Sequence, residues 1–498
     1  MTYYEMAPCA VKLPPELLER IFQLHAAACR EPWISDTDVA SACWWPESPY
    51  AWIFVTHVCR YWRDVALDSA LLWSYIMLTR NLECVEAFLT RSQKAPLTVT
   101  QPRGRGCFGE RGMPVASMRL VLAEMGRIRA LELYMKWWIF DDVAGMLSKP
   151  SANLKSLKLS TPHGICDSGF VQPVVYLNHG SDGPSLENLT LCAYGFPWWN
   201  PAPYKGLLSL RIVRGIPEKP SVGQVIRALQ IMPHLRHLCL CDVFTPSPKH
   251  LTSLPVIEEV AILQQLETLE LSGDIVACSA LLSSLIIPAT AHISLDYRRS
   301  RSADLPLAML PVYSKFTGIP SVGCEDMLQS VPGSPVHVEI ERDPSSYIVT
   351  FHSPYEHDHS EKALTVSIGV SAEITNLQTI CRDIPLDSLK VLSMSSILDW
   401  KEIASYLGTV EELRVQKWPM RAIADLILYG CDGFHADEIG AGCAVAFPAL
   451  RSLKVKAATI VTETMSDPLD GKNELLDAVT SRNWCSSSTK LEEVSFEL

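Results

Sequence analysis

One short pattern constrains the fold of this chain more than any other feature. An apolar residue is followed by two variable ones, then Leu (once Val), one variable residue and a last apolar residue. It occurs at Ile128/Leu131/Leu133, Leu154/Leu157/Leu159, Leu186/Leu189/Leu191, Leu207/Leu210/Ile212, Leu235/Leu238/Leu240 and Leu266/Leu269/Leu271. It returns at Leu389/Leu392/Met394, Val410/Leu413/Val415, Leu450/Leu453/Val455 and Leu491/Val494/Phe496. The last three positions alternate as a short strand does, apolar side chains to one face and the intervening residue to the other. A unit this small cannot bury its apolar side alone, so neighbouring copies must stack on one another.

Successive starts among the first six copies differ by 26, 32, 21, 28 and 31 residues. That brackets the period of leucine-rich repeats, about 20–29 residues. The expected fold for residues 91–498 is therefore an irregular α/β leucine-rich-repeat solenoid with parallel strands on its concave face. Helix-like stretches at residues 222–231 and 421–428 would cover the convex side. Residues 272–388 break the pattern, leaving alternating runs at 292–295, 336–340, 347–351 and 364–368 between polar, Pro-containing loops. These are either degenerate repeats or a β-rich insertion.

The first 90 residues differ in kind. Pro14 and Pro15 precede a run in which Leu17, Leu18, Ile21, Phe22 and Leu24 are apolar. Pro at a first helical turn and this spacing predict an amphipathic helix. A second helix is predicted through Val55, Val58, Cys59, Trp62, Val65 and Ala66, with Arg60 and Arg63 on its far side. Asp68 then reads as the cap of a short helix bearing Leu71, Leu72 and Trp73.

Three blocks in this order, Leu13-Pro14-Pro15-Glu16-Leu17-Leu18 with Ile21 and Phe22, then residues 58–66, then Leu71-Leu72-Trp73, resemble the F-box motif of fungal F-box-like proteins. The likeness covers about 75 residues and departs at residues 25–51, where an ordinary F-box has a short link. It implies a small all-α F-box-like domain over 1–90, with 97–99 as the strand opening the repeats. It also implies a non-enzymatic role as the substrate-recognition subunit of a cullin–RING ubiquitin ligase, without a cofactor. On that reading the Skp adaptor, and through it the cullin, is held by Leu13, Pro14, Leu17, Ile21, Val58, Cys59, Trp62 and Trp73, and the repeats hold a protein substrate. Trp62 and Ile21 are the members expected to lie inside the helical unit. The helix-in-groove logic is general, because exposed Leu, Ile and Trp are costly unless a partner covers them.

The residues between the strand leucines would line the substrate face: Glu132, Lys158, Thr190, Arg211, Cys239 and Glu270, then Ser393, Arg414 and Lys454. Their signs are mixed, so no charged ligand class is indicated. Two tandem tryptophan pairs follow strands, and Trp138 and Trp199 are the candidate anchors, with one ring of each pair expected to pack inward.

Composition narrows the partners. Lys+Arg 43 against Asp+Glu 55 gives a net charge of −12. That argues against a nucleic-acid binder relying on phosphate neutralisation and gives no support to an anionic membrane surface. The longest uncharged stretch, 275–295, contains several Ser, Pro288 and His292, so it does not read as a membrane span. Neither end carries a targeting or lipidation signal, and an intracellular chain, cytoplasmic or nuclear, is expected. Sixteen cysteines occur without a CxxC pair, which points to reduced thiols packed as small hydrophobes. Signatures of chemistry are weak. Gly104, Gly106 and Gly109 fit GxGxxG, but 101–103 separate them from the strand and Pro114 delays the helix. His352, His357, Asp358 and His359 cluster without a fixed spacing. Gly471-Lys472 lacks the rest of a phosphate loop, and GxSxG and HExxH are absent. A scaffold with a vestigial helical cap, or an enzyme using the glycine loop, are the alternatives.

Overall fold

The structure, a computed structural model, describes residues 13–34, 50–101, 115–135, 137–149, 151–161, 174–175, 186–214, 219–245, 257–288, 290–297, 337–343, 346–353, 362–369, 389–394, 407–416, 420–428, 447–456, 468–483 and 489–497. The chain divides into two units, 1–218 and 219–498. Each is α/β and built on mainly parallel strands.

The first unit opens with α1 (Pro15–Ile34), a 3₁₀ turn (Ala51–His57), α2 (Arg60–Asp68) and α3 (Ala70–Trp73). The second predicted helix is thus broken in two. The break lies at Cys59, whose backbone is extended and whose sulfur accepts the Trp62 N–H at the start of α2. Asp68 is not a cap either. It ends α2, and Ser69 precedes α3 while donating its hydroxyl to the Glu19 carboxylate at 2.5 Å. Nor are residues 1–90 wholly helical, since β1 (Tyr75–Met77) already pairs in parallel with β2 (Leu97–Thr100). The sheet therefore opens before 97–99.

From β2 the chain runs through α5 (Val115–Leu122), β3 (Ile128–Tyr134), α6 (Trp137–Leu147), β4 (Ser156–Ser160), β5 (Asn188–Cys192) and β6 (Ser209–Val213), with α4 (Leu82–Arg91) between β1 and β2. All six strands pair in parallel in chain order. Leu131, Leu157, Leu189 and Leu210 stand in one register row, and Leu133, Leu159, Leu191 and Ile212 in the next. All eight are buried. Burying such a side chain is worth about 1.5–3 kcal/mol, so the two rows account for much of this unit's cohesion. The helices α4, α5 and α6 pack successively on one another as the crossover layer. Arg127 closes that layer by donating to the Leu89 and Gln93 carbonyls at the end of α4, where a cation also meets the negative end of the helix dipole.

The second unit repeats the scheme with α7 (Val222–Gln230), β7 (His237–Cys241), β8 (Ala261–Ile262), β9 (Thr268–Ser272), α8 (Ile275–Ser283), β10 (Leu285–Ile286) and β11 (His292–Tyr297). It continues with β12 (His337–Asp343), β13 (Ser346–Ser353), β14 (Lys362–Gly369), β15 (Val391–Met394), β16 (Glu412–Gln416), α9 (Met420–Leu428), β17 (Ser452–Lys456), α10 (Pro468–Asn483) and β18 (Glu493–Glu497). The strand order is β7-β9-β11-β14-β13-β12-β15-β16-β17-β18. The irregular section is a β-rich insertion within the sheet: β12, β13 and β14 form an antiparallel meander whose outer members join β15 and β11 in parallel. Capped by a Ser221–Gln224 box, α7 presents Val225, Ile226 and Leu229 inward. Residues Ile275 to Leu282 of α8 are buried all round. This accounts for the uncharged stretch, because nine residues span only about 14 Å. Arg482 on α10 is wholly buried and donates to the carbonyls of Ile427 and Phe447, closing α9 as Arg127 closes α4.

Strand entry and exit are hydrogen-bonded alike throughout. The carbonyl of the first variable residue of one motif accepts from the chain entering the next strand: Lys155 from Glu187 and Asn188, Arg236 from Glu267 and Thr268, Glu411 from Arg451 and Ser452. At the exits, Ala193, Arg214, Asp242 and Gly273 take positive φ directly after β5, β6, β7 and β9. At φ +124°, Gly273 is the extreme case, and an added Cβ would lie 3.3 Å from the Asp242 Cα. Gly273→Ala should lower stability by about 1–3 kcal/mol, read as a lower urea midpoint with an unchanged m-value.

Candidate functional site

The N-terminal helices sort their apolar residues by face. On α1, Leu18, Phe22 and Ala26 fall four residues apart and are buried. On its other side Leu17, Ile21 and Leu24 are 54%, 45% and 57% exposed, and on the neighbouring segment Phe54 and Val58 are 73% and 60% exposed. The 3₁₀ turn carrying Phe54 packs against α1. The core beneath is already filled. Trp52 stands edge-on to Trp73 at 5.0 Å, Trp73 to Phe88 at 5.0 Å, and Phe22 lies 5.2 Å from Trp62. Trp73 donates its indole N–H to the Ala66 carbonyl, and the Tyr61 hydroxyl holds the Leu13 carbonyl at 2.7 Å, fixing the entry to α1 against α2.

Of the eight N-terminal residues singled out from sequence, Pro14, Leu17, Ile21 and Val58 lie on the surface, and Leu13, Cys59 and Trp62 are half-buried. Two expectations need correcting. Trp73 is a core side chain, because its ring plugs the space between α2, Phe88 and the Arg91 guanidinium 4.3 Å above it. Ile21 is not internal, because α1 turns Phe22, not Ile21, toward Trp62. The sequence reading passed over Phe54 and Leu24. Leu24 had a usable signal, lying seven residues beyond Leu17 on the same helical face. Phe54 had none, because its exposure follows from a turn that the pattern presented as helix.

The residues between the strand leucines form a polar row in each unit. Glu132, Lys158, Thr190 and Arg211 are register partners in the first, and Lys158 lies 3.6 Å from Glu132. In the second, Cys239, Glu270 and Ser294 align, as do Ser393, Arg414, Lys454 and Ser495. Cys239 and Ser393 are buried despite their place in this row, since they are its shortest side chains beside longer neighbours. Sequence reasoning missed Glu412, the centre of the last group: Arg414 Nε donates to it at 2.6 Å, and Lys454 Nζ lies 3.0 Å away. Burial pushes the Glu412 carboxyl up, but these two cations outweigh it and hold the group below its ordinary range. Trp198 packs inward on Phe196 at 4.7 Å, and Trp199 is exposed. The side chains of Trp137 and Trp138 lie outside the described residues, as do the glycines at 104–109, the 35–49 part of the insert, the basic residues at 298–301 and His357 to His359.

No protein-family model and no curated protein matches this chain. Among the described residues, no helix is long and apolar enough to cross a membrane.

The Glu412 arrangement sets a pH dependence. Its folded pKa is depressed, so its stabilisation is complete above the ordinary value of 4.5 and is lost as pH falls through the lower folded value. Urea midpoints of Glu412→Gln and wild type should converge as the pH is lowered through that acid range, with the wild type the more stable above it.

Proposed function

We propose that the chain is a substrate receptor of a cullin–RING ubiquitin ligase, docking on a Skp-type adaptor through an F-box-like N-terminus and holding a protein substrate on the polar face of leucine-rich repeats. One observation carries the reading: Leu17, Ile21, Leu24, Phe54 and Val58 stay exposed around a core that is already full. Apolar surface left in water costs about 25 cal/mol per Å². A groove that accepts these side chains recovers that energy, and the F-box resemblance names a partner with such a groove. Support for the repeats comes from the regular strand entry and exit bonds, one set for each L-x-L copy. The polar row suits a protein ligand, because its charges are arranged as opposed pairs and do not form a single-sign stripe.

The test is co-purification with a fungal Skp adaptor. A stoichiometric complex is expected for wild type, and at least roughly 100-fold weaker binding for Leu17→Ala/Ile21→Ala, two exposed residues each worth over about 1 kcal/mol if they anchor the contact. The double variant should melt with the wild type, since neither side chain is in the core. A folded wild type that forms no complex sinks the adaptor reading and leaves a binding scaffold.

A further inference from the structure

Strand β7 reads His237-Leu238-Cys239-Leu240-Cys241, with Leu238 and Leu240 in the buried rows and the two cysteines side by side on the opposite face. Their sulfurs are 3.6 Å apart. Two arrangements would use such a pair, and geometry separates them. A disulfide needs Cβ atoms about 3.5–4.5 Å apart, whereas residues two apart on a strand are separated by about 6.6 Å. β7 cannot shorten to close that gap, because all five of its residues are in register with β9, from His237 against Thr268 to Cys241 against Ser272. By contrast, two sulfur–metal bonds of about 2.3 Å near the tetrahedral angle span about 3.7–3.8 Å. The gap between the sulfurs matches a cation held between them and not a bond joining them.

The setting fits a soft cation. Cys239 is buried and Cys241 half-buried toward the end of the strand, which leaves one side for entry and a shielded site for the bound ion. Thiolate donors select copper(I) and zinc among the biological metals. No three His, Cys, Asp or Glu side chains converge as a metal site among the described residues, and copper(I) is the member of that class that is content with two sulfur ligands. We infer that Cys239 and Cys241 form a two-thiolate chelate for a soft, univalent d¹⁰ cation of the copper(I) type. Binding forms two S–Cu bonds and releases both thiol protons, giving a bis-thiolate complex of charge −1 with no change of oxidation state. This site does not depend on the receptor reading, since the adaptor face lies on α1 and its neighbours.

The experiment uses the reduced full-length protein under anaerobic conditions, with copper(I) supplied from its bicinchoninate complex. Wild type should withdraw one equivalent more than Cys241→Ser or Cys239→Ala, with the other cysteines contributing equally to all three. The affinity of that equivalent should rise about 100-fold per pH unit below the thiol pKa values, because two protons leave. Cys278→Ala, which alters a buried thiol on α8 outside the pair, should keep it. The buried Cys239→Ala variant carries a folding risk, so Cys241→Ser at the half-exposed position decides the matter if the two disagree. Equal withdrawal by wild type and Cys241→Ser overturns the site. So does a Cys239–Cys241 disulfide found by peptide mass spectrometry after brief treatment with a disulfide oxidant, since the backbone would then permit the closure that the chelate excludes.

Discussion

Parallel strands held in leucine-to-leucine register are the constraint on which the rest of the molecule depends. The period of two along each strand means that a slip of one residue would turn every Leu of a row outward and every charged neighbour inward. Register is therefore specified at each step, and the same carbonyl accepts the incoming chain at each strand entry. Once the rows are set, the polar side chains between them can only line up as they do. The pairing of Lys158 with Glu132, and of Arg414 and Lys454 with Glu412, follows from the ladder without a separate design.

The strand rows were legible in the sequence because the signal was repeated ten times and each copy was enforced by burial. Residues 222–231 and 421–428 were also legible, as helices of one apolar face. The helical start was read less well, for a physical reason. Val55, Val58, Cys59 and Trp62 satisfy a helical period, yet Cys59 is extended and caps the following turn with its sulfur. Local hydrogen bonding by a small polar side chain thus overrode the hydrophobic pattern. Trp73 misled in the opposite sense, since a motif position says nothing of whether a large ring faces a partner or its own core. Glu412 was invisible because its importance comes from residues on the same and the adjacent strand.

The two surfaces have different characters. The N-terminal one is apolar and its energy is unspent in the isolated chain. The sheet rows are polar and largely self-satisfied, so recognition there would exchange one set of ion pairs for another. Such exchange favours selectivity and association rate over raw affinity, whereas the apolar face favours stable attachment. A chain that stays fixed to one partner while sampling another would want this division.

At the outer edge of the first unit's sheet, the Tyr50 hydroxyl both donates to the Met77 carbonyl and accepts the Met77 N–H, at 2.6 and 2.9 Å. One phenol thus occupies the backbone groups with which β1 would otherwise recruit a foreign strand. Burial raises the pKa of that phenol well above its ordinary value, so the proton needed for the donor half stays in place across the physiological range. The residue acts as a terminator. It ends lateral growth of the sheet without spending a further stretch of chain on a covering element, and it guards the exposed end of a parallel array against edge-to-edge aggregation.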